Sequence, residues 1–231
     1  MTVMLFDLAG ADPDVRFSPY CWRTKMALKH KGVVFEAVPW RFTDKVALEP
    51  SGQGRVPTIV DHGLWVHDSW EIAHYLDRAY PDKPILFRDA RDEAAARFMA
   101  TWADMTLHLP ILRICLVEIY AALAPQDQAY FRSSREARFG VTLEEFVTDK
   151  GKAKSQLLSV LSPMDVSLRA SRFLGGETPS YSDYAVFGSL MWPNAVMSEP
   201  LLEADTMVGA WFNRMLGLHD GYARSAKIVR G

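Results

Sequence analysis

The chain has 231 residues, 49% of them hydrophobic and 23% charged, with a formal net charge of −2. That length buries a substantial core as one large domain or two small ones, and the balance is that of an ordinary globular protein. With no long basic or acidic block, neither nucleic acid nor an anionic membrane surface is expected as a partner. Two cysteines, Cys21 and Cys115, are too few for a disulfide framework and lack metal-ligand spacing, so no metal site is expected. The opening MTVMLFDLAGADPD lacks a basic stretch followed by a long apolar one. No apolar run reaches the roughly eighteen residues of a membrane span. A reducing, cytoplasmic setting is the expectation.

Val3 to Phe6 form a short apolar run closed by Gly10 and Pro13, which predicts a buried strand. Ser18-Pro19 then opens a helix over YCWRTKMALKHKG. Serine is a favoured N-cap, proline suits the first turn, Lys and His crowd the last turn, and Gly32 is the stop. Val33 to Val38 reads as the next strand, and residues 43–48 as a short helix ended by Pro50, Gly52 and Gly54. Pro57 to Val60 and Leu64 to Val66, either side of Asp61-His62-Gly63, read as a hairpin. A helix follows in DSWEIAHYLDRAY, with Ile72, Tyr75, Leu76 and Ala79 near helical spacing. This order implies parallel pairing early and antiparallel pairing late, in a small mixed sheet with helices on both faces.

Residues 81–92 read as a linker, after which strand patterns stop. A long helix is expected over 91–124, kinked at Pro110. The polar segment DQAYFRSSREARFG reads as helical, as does 156–173, interrupted by Pro163 and stopped by Gly175-Gly176. The stretch 183–197, bent at Pro193, and 206–216 complete a helical half. The organisation is therefore an α/β domain over 1–87 and an all-helical domain over 88–231, without internal repeats.

Three short constellations carry chemistry. Ser18-Pro19-Tyr20-Cys21 lies at a helix mouth, where unpaired N–H groups and the dipole favour an anion. A thiolate there is stabilised. Lowering a thiol pKa by about two units takes roughly 2.7 kcal/mol, which a hydroxyl donor and the dipole together approach. Ser18 suits the donor role, and an ordinary N-cap has the same pattern. The tetrapeptide also matches the Cys-Pro-Tyr-Cys of glutaredoxins with its leading Cys replaced by Ser, which disfavours dithiol cycling and makes Cys21 a packed residue. Arg55-Val56-Pro57 precedes a strand, where proline is tolerated in its own right. Asp68-Ser69 opens a helix with Glu71 at capping-box spacing, again an ordinary cap on its own.

In this order and spacing, SPYCWRTKMALKHKG, GQGRVPTIVDHGLWVHDSWEIAHYLDRAYPDKPILF and FLGGETPSYSDYAVF resemble the glutathione transferase superfamily. The resemblance is close over residues 3–87 and clear over 170–190, where Ser180 and Asp183 form a second capping box. It implies a thioredoxin-like α/β N-terminal domain and an all-α C-terminal domain, glutathione as cosubstrate, and a homodimer. It further implies Ser18 as catalytic thiol partner, with Tyr20 as a rival donor. The Val56 backbone before a cis Pro57 would pair with the cysteinyl residue. Asp68 would take the γ-glutamyl ammonium and Ser69 its carboxylate, with Arg55 or Gln53 at the glycyl carboxylate. SPYCWRTK, ALKHKG and PQDQAYFRSSRE are further similar to bacterial lignin β-etherases, which open a β-aryl ether beside a ketone. A small hydrophobic, aromatic electrophile is the implied second substrate. Trp102, Met105, His108, Leu109 and Trp192 are candidates for its pocket, although a Met and aromatic stripe at helical spacing is more often core. Two alternatives stay open: a non-catalytic glutathione or hydrophobic-ligand binder, and a thiol reductase using Cys21.

Overall fold

In the computed structural model, which describes residues 2–229, β1 (Val3–Leu8) lies inside a four-stranded sheet of order β2-β1-β3-β4. β2 (Phe35–Trp40) runs parallel to β1, with Val3 opposite Phe35 and Leu8 opposite Trp40. β3 (Thr58–Asp61) is antiparallel to β1, and β4 (Leu64–His67) is antiparallel to β3. A parallel step needs a crossover, and α1 (Pro19–His30) supplies it. The antiparallel step needs only a two-residue turn. His62 (φ 49°) and Gly63 (φ 82°) take the left-handed dihedrals that match the twist of a tight hairpin.

β2 starts later than its apolar pattern suggests. The Val33 amide donates to Leu28 O at 3.0 Å and so closes α1, while the Val34 side chain is 73% exposed. Val33 belongs to the helix exit, and the Val34 carbonyl accepts from the Val3 amide at 3.1 Å, just ahead of the paired strand. Pro39 is tolerated in β2 because that strand is at the sheet edge. The short helix expected at 43–48 is a 3-10 turn, Val46–Ser51, with Pro50 inside it. α2 (Ser69–Ala79) packs against α1 and the β3–β4 hairpin.

In the helical half, α3 (Ala90–Trp102) is capped by Asp89, which accepts from the Arg91 and Asp92 amides. It continues through a π-turn (Ala103–Leu107) into α4 (His108–Ala122). Pro110 has no N–H, and its ring crowds the carbonyl four residues before. The expected kink is accordingly spread out: the helix widens just before the proline, and Cys115 leaves helical dihedrals after it (φ −125°, ψ 16°). The continuous helix of 33 residues is the one helix among those described that is long and apolar enough to cross a membrane. Here its Ala103, Leu107, Ile111, Ile114 and Ile119 are core residues.

α5 (Pro125–Phe139), α6 (Leu143–Phe146), α7 (Lys150–Ser167), α8 (Tyr181–Val196) and α9 (Met207–Gly221) follow. Pro163 sits within α7 and Pro193 within α8, and neither ends its helix. α8 is the buried spine. Its N-terminus is closed by the Ser180–Asp183 capping box. The fully buried Asp183 carboxylate accepts from the amides of Leu174, Gly175 and Ser180, and from Trp211 Nε1 at 2.8 Å. α1 lies so close to α8 that a Cβ on Gly188 would come within 2.4 Å of the Pro19 carbonyl oxygen. Arg23 crosses the same contact, its Nε donating to Ala185 O at 3.1 Å. The N-terminus of α1 is thereby fixed against the helical half.

Candidate active site at the joint of sheet and helices

At the mouth of α1, Ser18 is the N-cap: its backbone is extended (φ −63°, ψ 124°) and its Oγ accepts from the Cys21 amide at 3.3 Å. Pro19 occupies the first turn, where its missing N–H costs nothing. Ser18 is 4% exposed. Tyr20 borders the cleft between the two halves. The Arg23 guanidinium carbon lies 4.9 Å from its ring centroid and the His108 ring stands edge-on at 5.6 Å. Burial raises the Tyr20 pKa, so the phenol keeps its proton. Cys21, one turn in, is fully buried among core residues, and burial together with nearby Asp7 drives its thiol pKa upward. A reductase working through Cys21 needs an accessible thiolate. The structure corrects that alternative.

Between the two halves opens a cleft of about 750 Å³, bounded by Tyr20, Gln53, Gly54, Arg55, Val56, Pro57, His67, Asp68, Ser69 and Asp104. It gathers every site residue read from the sequence except Ser18, which is the buried N-cap of α1 two residues before Tyr20. The Val56–Pro57 bond is cis, and pairing of β3 with β1 begins only at Thr58. Among the described residues, no backbone hydrogen bond engages the Val56 N–H or C=O. The two groups are therefore open to an extended, peptide-like ligand.

Gln53 behaves differently from the reading that paired it with Arg55. Its Oε1 accepts from the Arg55 amide at 2.7 Å, while Nε2 donates to Arg55 O at 2.7 Å and to Thr58 Oγ1 at 2.9 Å. Both ends of the amide shape the loop, which leaves the exposed Arg55 at the rim as the group that can meet a carboxylate.

Asp68 holds φ 71° and ψ 130°, a conformation L-residues rarely adopt. Its Oδ1 caps α2 by accepting from Trp70 N (2.8 Å) and Glu71 N (3.4 Å). Strain of this kind persists where the surroundings over-determine it, and it clusters at functional sites. Ser69 follows, its carbonyl fixed by the Tyr181 hydroxyl at 2.8 Å and its side chain in the cleft wall.

The opposite wall comes from the π-turn. Asp104 Oδ1 receives Arg23 Nη2 at 2.6 Å and lies 3.5 Å from His108 Nε2. His108 Nε2 is also 3.0 Å from Ser189 Oγ. Burial, then the Arg23 charge, holds the His108 pKa down to about 4, so the imidazole is neutral. Sequence reasoning named His108 but missed Arg23 and Asp104. The available signal was an aspartate four residues before a histidine within an otherwise apolar helix. Of the other pocket candidates, Met105 borders a side cavity of about 270 Å³ that adjoins the cleft. Trp192 packs edge-on against His108 at 5.5 Å. Trp102 and Leu109 border neither space. A larger cavity, about 830 Å³, lies beside the C-terminal segment and contains none of the site residues.

Residues 94–218 match the family model "Glutathione S-transferase, C-terminal domain", and residues 17–79 match "Glutathione S-transferase, N-terminal domain". Glutathione S-transferase U22 of Arabidopsis thaliana is 25% identical over 180 residues, 76% of this chain and 69% of that protein. Glutathione S-transferase omega-1 of Mus musculus is 28% identical over 182 residues, covering 78% of this chain and 62% of its own. Among solved structures, glutathione S-transferase CsGST83044 of Ceriporiopsis subvermispora, in complex with glutathione, superposes with TM-score 0.83 at 22% identity. It covers 95% of this chain and 98% of its own. Glutathione transferase GSTFuA2 of Phanerochaete chrysosporium gives TM-score 0.75 at 27% identity, covering 96% and 94%. With the order of the sheet, the open Val56 backbone and a family model spanning more than half its length, the chain belongs to the glutathione S-transferase family.

Proposed function

We propose that this protein transfers glutathione to a small hydrophobic, aromatic electrophile, and that the electrophile is a β-aryl ether lying beside a ketone. The observation that carries the glutathione reading is the cleft itself. It offers an open backbone edge at Val56, the hydroxyl and amide of Ser69, a carboxylate at Asp68 and a cation at Arg55, in the order a short zwitterionic peptide needs. In this reading Asp68 takes the γ-glutamyl ammonium, and the hydroxyl and amide of Ser69, at the start of α2, take its carboxylate. Val56 pairs with the cysteinyl backbone and Arg55 meets the glycyl carboxylate. The Ser18 hydroxyl, with the mouth of α1, donates to the sulfur and holds it as thiolate. Once bound, glutathione supplies the nucleophile: a C–S bond forms at the ether carbon, the C–O bond breaks, and the aryloxide leaves with the electron pair and takes a proton from solvent. Holding both partners in one cleft accounts for much of the rate gain.

The β-etherase assignment rests on the stretches SPYCWRTK, ALKHKG and PQDQAYFRSSRE. A homodimer and a cytoplasmic setting belong to the same reading. The test is glutathione-dependent phenol release from a model β-aryl ether ketone, with wild type beside Ser18→Ala. Release that falls about a hundredfold in the variant, with glutathione affinity nearly unchanged, is expected; a hundredfold corresponds to roughly two units of thiol pKa. Glutathione binding without phenol release would redirect the search to other electrophiles. Binding without consumption of any thiol would favour a ligand-binding protein.

A further inference from the structure

Apart from the cleft, a cavity of about 430 Å³ is bounded by Asp7 of β1, Arg16 just before α1, Trp22 and Lys25 of α1, and Tyr222 and Lys227 of the C-terminal segment, among others. None of the residues around it borders the cleft. The end of the chain is tied down here: Lys227 pairs with Val15, and its Nζ lies 2.5 Å from Asp12 Oδ2.

The buried charges do not cancel. The side chains of Asp7, Lys25 and Arg16 are 0%, 3% and 13% exposed. Lys25 Nζ lies 2.9 Å from Asp7 Oδ2 and 3.5 Å from the Trp22 ring centroid, and Arg16 Nη1 is 3.6 Å from the same oxygen. Two cations meet one carboxylate. The positive charge left over sits where little water reaches it, and it costs stability until an anion pairs with it. The exposed Asp14 and Lys227, 3.8 Å apart, offset each other.

The hydrogen bonds point the same way. Among the described residues, nothing donates to Asp7 Oδ1. A buried carboxylate oxygen in that state calls for a donor. Arg16 spends Nε on Pro13 O, one N–H of Nη1 on Asp7 O (3.2 Å) and one of Nη2 on Ala37 O (3.3 Å). A guanidinium has five N–H groups, so two are left, and the Lys25 ammonium keeps one beyond Asp7 and the Trp22 face. Spare donors thus stand beside a spare acceptor. Because Oδ1 and Oδ2 belong to one carboxylate, whatever accepts from Lys25 must carry its own donor close by. A carboxylate with a hydroxyl on the adjoining carbon has that form. It also brings the negative charge that the cluster lacks, which an α-amino acid, neutral overall, does not. The rings of Trp22 and Tyr222, 6.2 Å apart, give an apolar wall for the rest of the molecule.

We infer that this cavity is a second ligand site, for a small 2-hydroxycarboxylate with an aromatic side chain. Arg16 and Lys25 hold its carboxylate, and Asp7 Oδ1 accepts from its hydroxyl. The site stands independently of the glutathione reading.

The experiment uses the full chain and three acids of one skeleton: mandelate, phenylacetate, which lacks the hydroxyl, and α-methoxyphenylacetate, whose ether cannot donate. Binding is followed by NMR at the Trp22 indole N–H, assigned with Trp22→Phe. That N–H donates to Arg16 O at 2.8 Å and so reports on this cavity. Mandelate is expected to shift it and to bind about tenfold or more tightly than the other two, the size of one charge-assisted hydrogen bond. Saturating glutathione leaves that affinity unchanged. Asp7→Asn narrows mandelate's advantage while tightening phenylacetate, because the cluster gains net positive charge. A general loosening of the fold would not move the two acids in opposite directions. Lys25→Met weakens all three. If both buried variants fail to fold, the ranking of the acids on wild type decides alone. Equal affinities would overturn the Asp7 contact, and no shift of Trp22 with any acid would overturn the site. Displacement of mandelate by glutathione would put it in the cleft, and tighter binding of inorganic phosphate would give the cations a different ligand; either result overturns the inference.

Discussion

Two helices in this molecule start with the same kind of signal and end with different work. At α8, the carboxylate of Asp183 is fully buried and accepts from three amides and an indole N–H. At α2, Asp68 is exposed, caps through one oxygen, and Glu71 does not return the reciprocal bond that Asp183 gives Ser180. The Asp68 backbone is strained as well (φ 71°), whereas Ser180, the cap of α8, is fully extended (φ −124°, ψ −179°). A capping pattern in sequence therefore fixes where a helix begins but not its role. What separates the two is whether the protein satisfies the side chain's hydrogen bonds itself or leaves some open at a cleft.

The largest effect should come from the closed cap. Asp183→Ala orphans several buried donors at once and should cost about 3–5 kcal/mol of stability in chemical denaturation. Glutathione affinity per folded molecule should change little; a well-folded variant that fails to bind would break the contrast. The open cap should behave in the opposite sense. Asp68→Gly relieves the left-handed strain while a glycine cap costs only a few tenths, so stability should rise by about 1 kcal/mol. Glutathione binding should meanwhile fall by about tenfold. A less stable Asp68→Gly protein would show that the strain argument is wrong.

The smallest effect tests an unsatisfied atom that borders neither the cleft nor the side cavity. His219 Nε2 is buried without a hydrogen-bond partner among the described residues, beside Tyr184, on a backbone with φ 52°. Burial, then the charges of His30 and Lys29, holds its pKa down to about 4, against an ordinary imidazole near 6.5. The folded state thus keeps it neutral while the unfolded chain takes a proton. Its contribution to stability is complete above about pH 6.5 and is lost as pH falls toward 4. His219→Asn, which tolerates the left-handed backbone, should lessen the fall of the melting temperature over that window, with His108 still contributing to it, and leave catalysis alone. An unchanged pH profile would exclude His219 as the titrating group.

Much of this was legible in the sequence because it is local. The Ser18-Pro19 helix start, the His62-Gly63 hairpin and the Ser180–Asp183 box are each set by neighbours a few residues apart. The errors are also physical. Val33 and Val34 look like strand residues, but α1 needs Val33's amide to close its last turn. Pro163 looks like an interruption, yet α7 continues through it. For Gln53, read as an alternative to Arg55, residue type does not reveal that its amide engages Arg55 and Thr58. The pairing of Arg23 with Asp104 was invisible for a different reason: 81 positions separate them, and only the docking of α1 on the helical half brings them to 2.6 Å.

That docking has a consequence for anyone who would recombine such proteins. Gly188 leaves no room for even a methyl group between α8 and the Pro19 carbonyl, one residue from Ser18. The mouth of α1 and the helical half thus share a single close-fitting joint. A chimaera that takes its helical half from a relative with any larger residue at this point would displace the first turn of α1 before a substrate ever arrived. Exchange of substrate range between relatives by swapping halves should succeed only where both parents keep a bare backbone there.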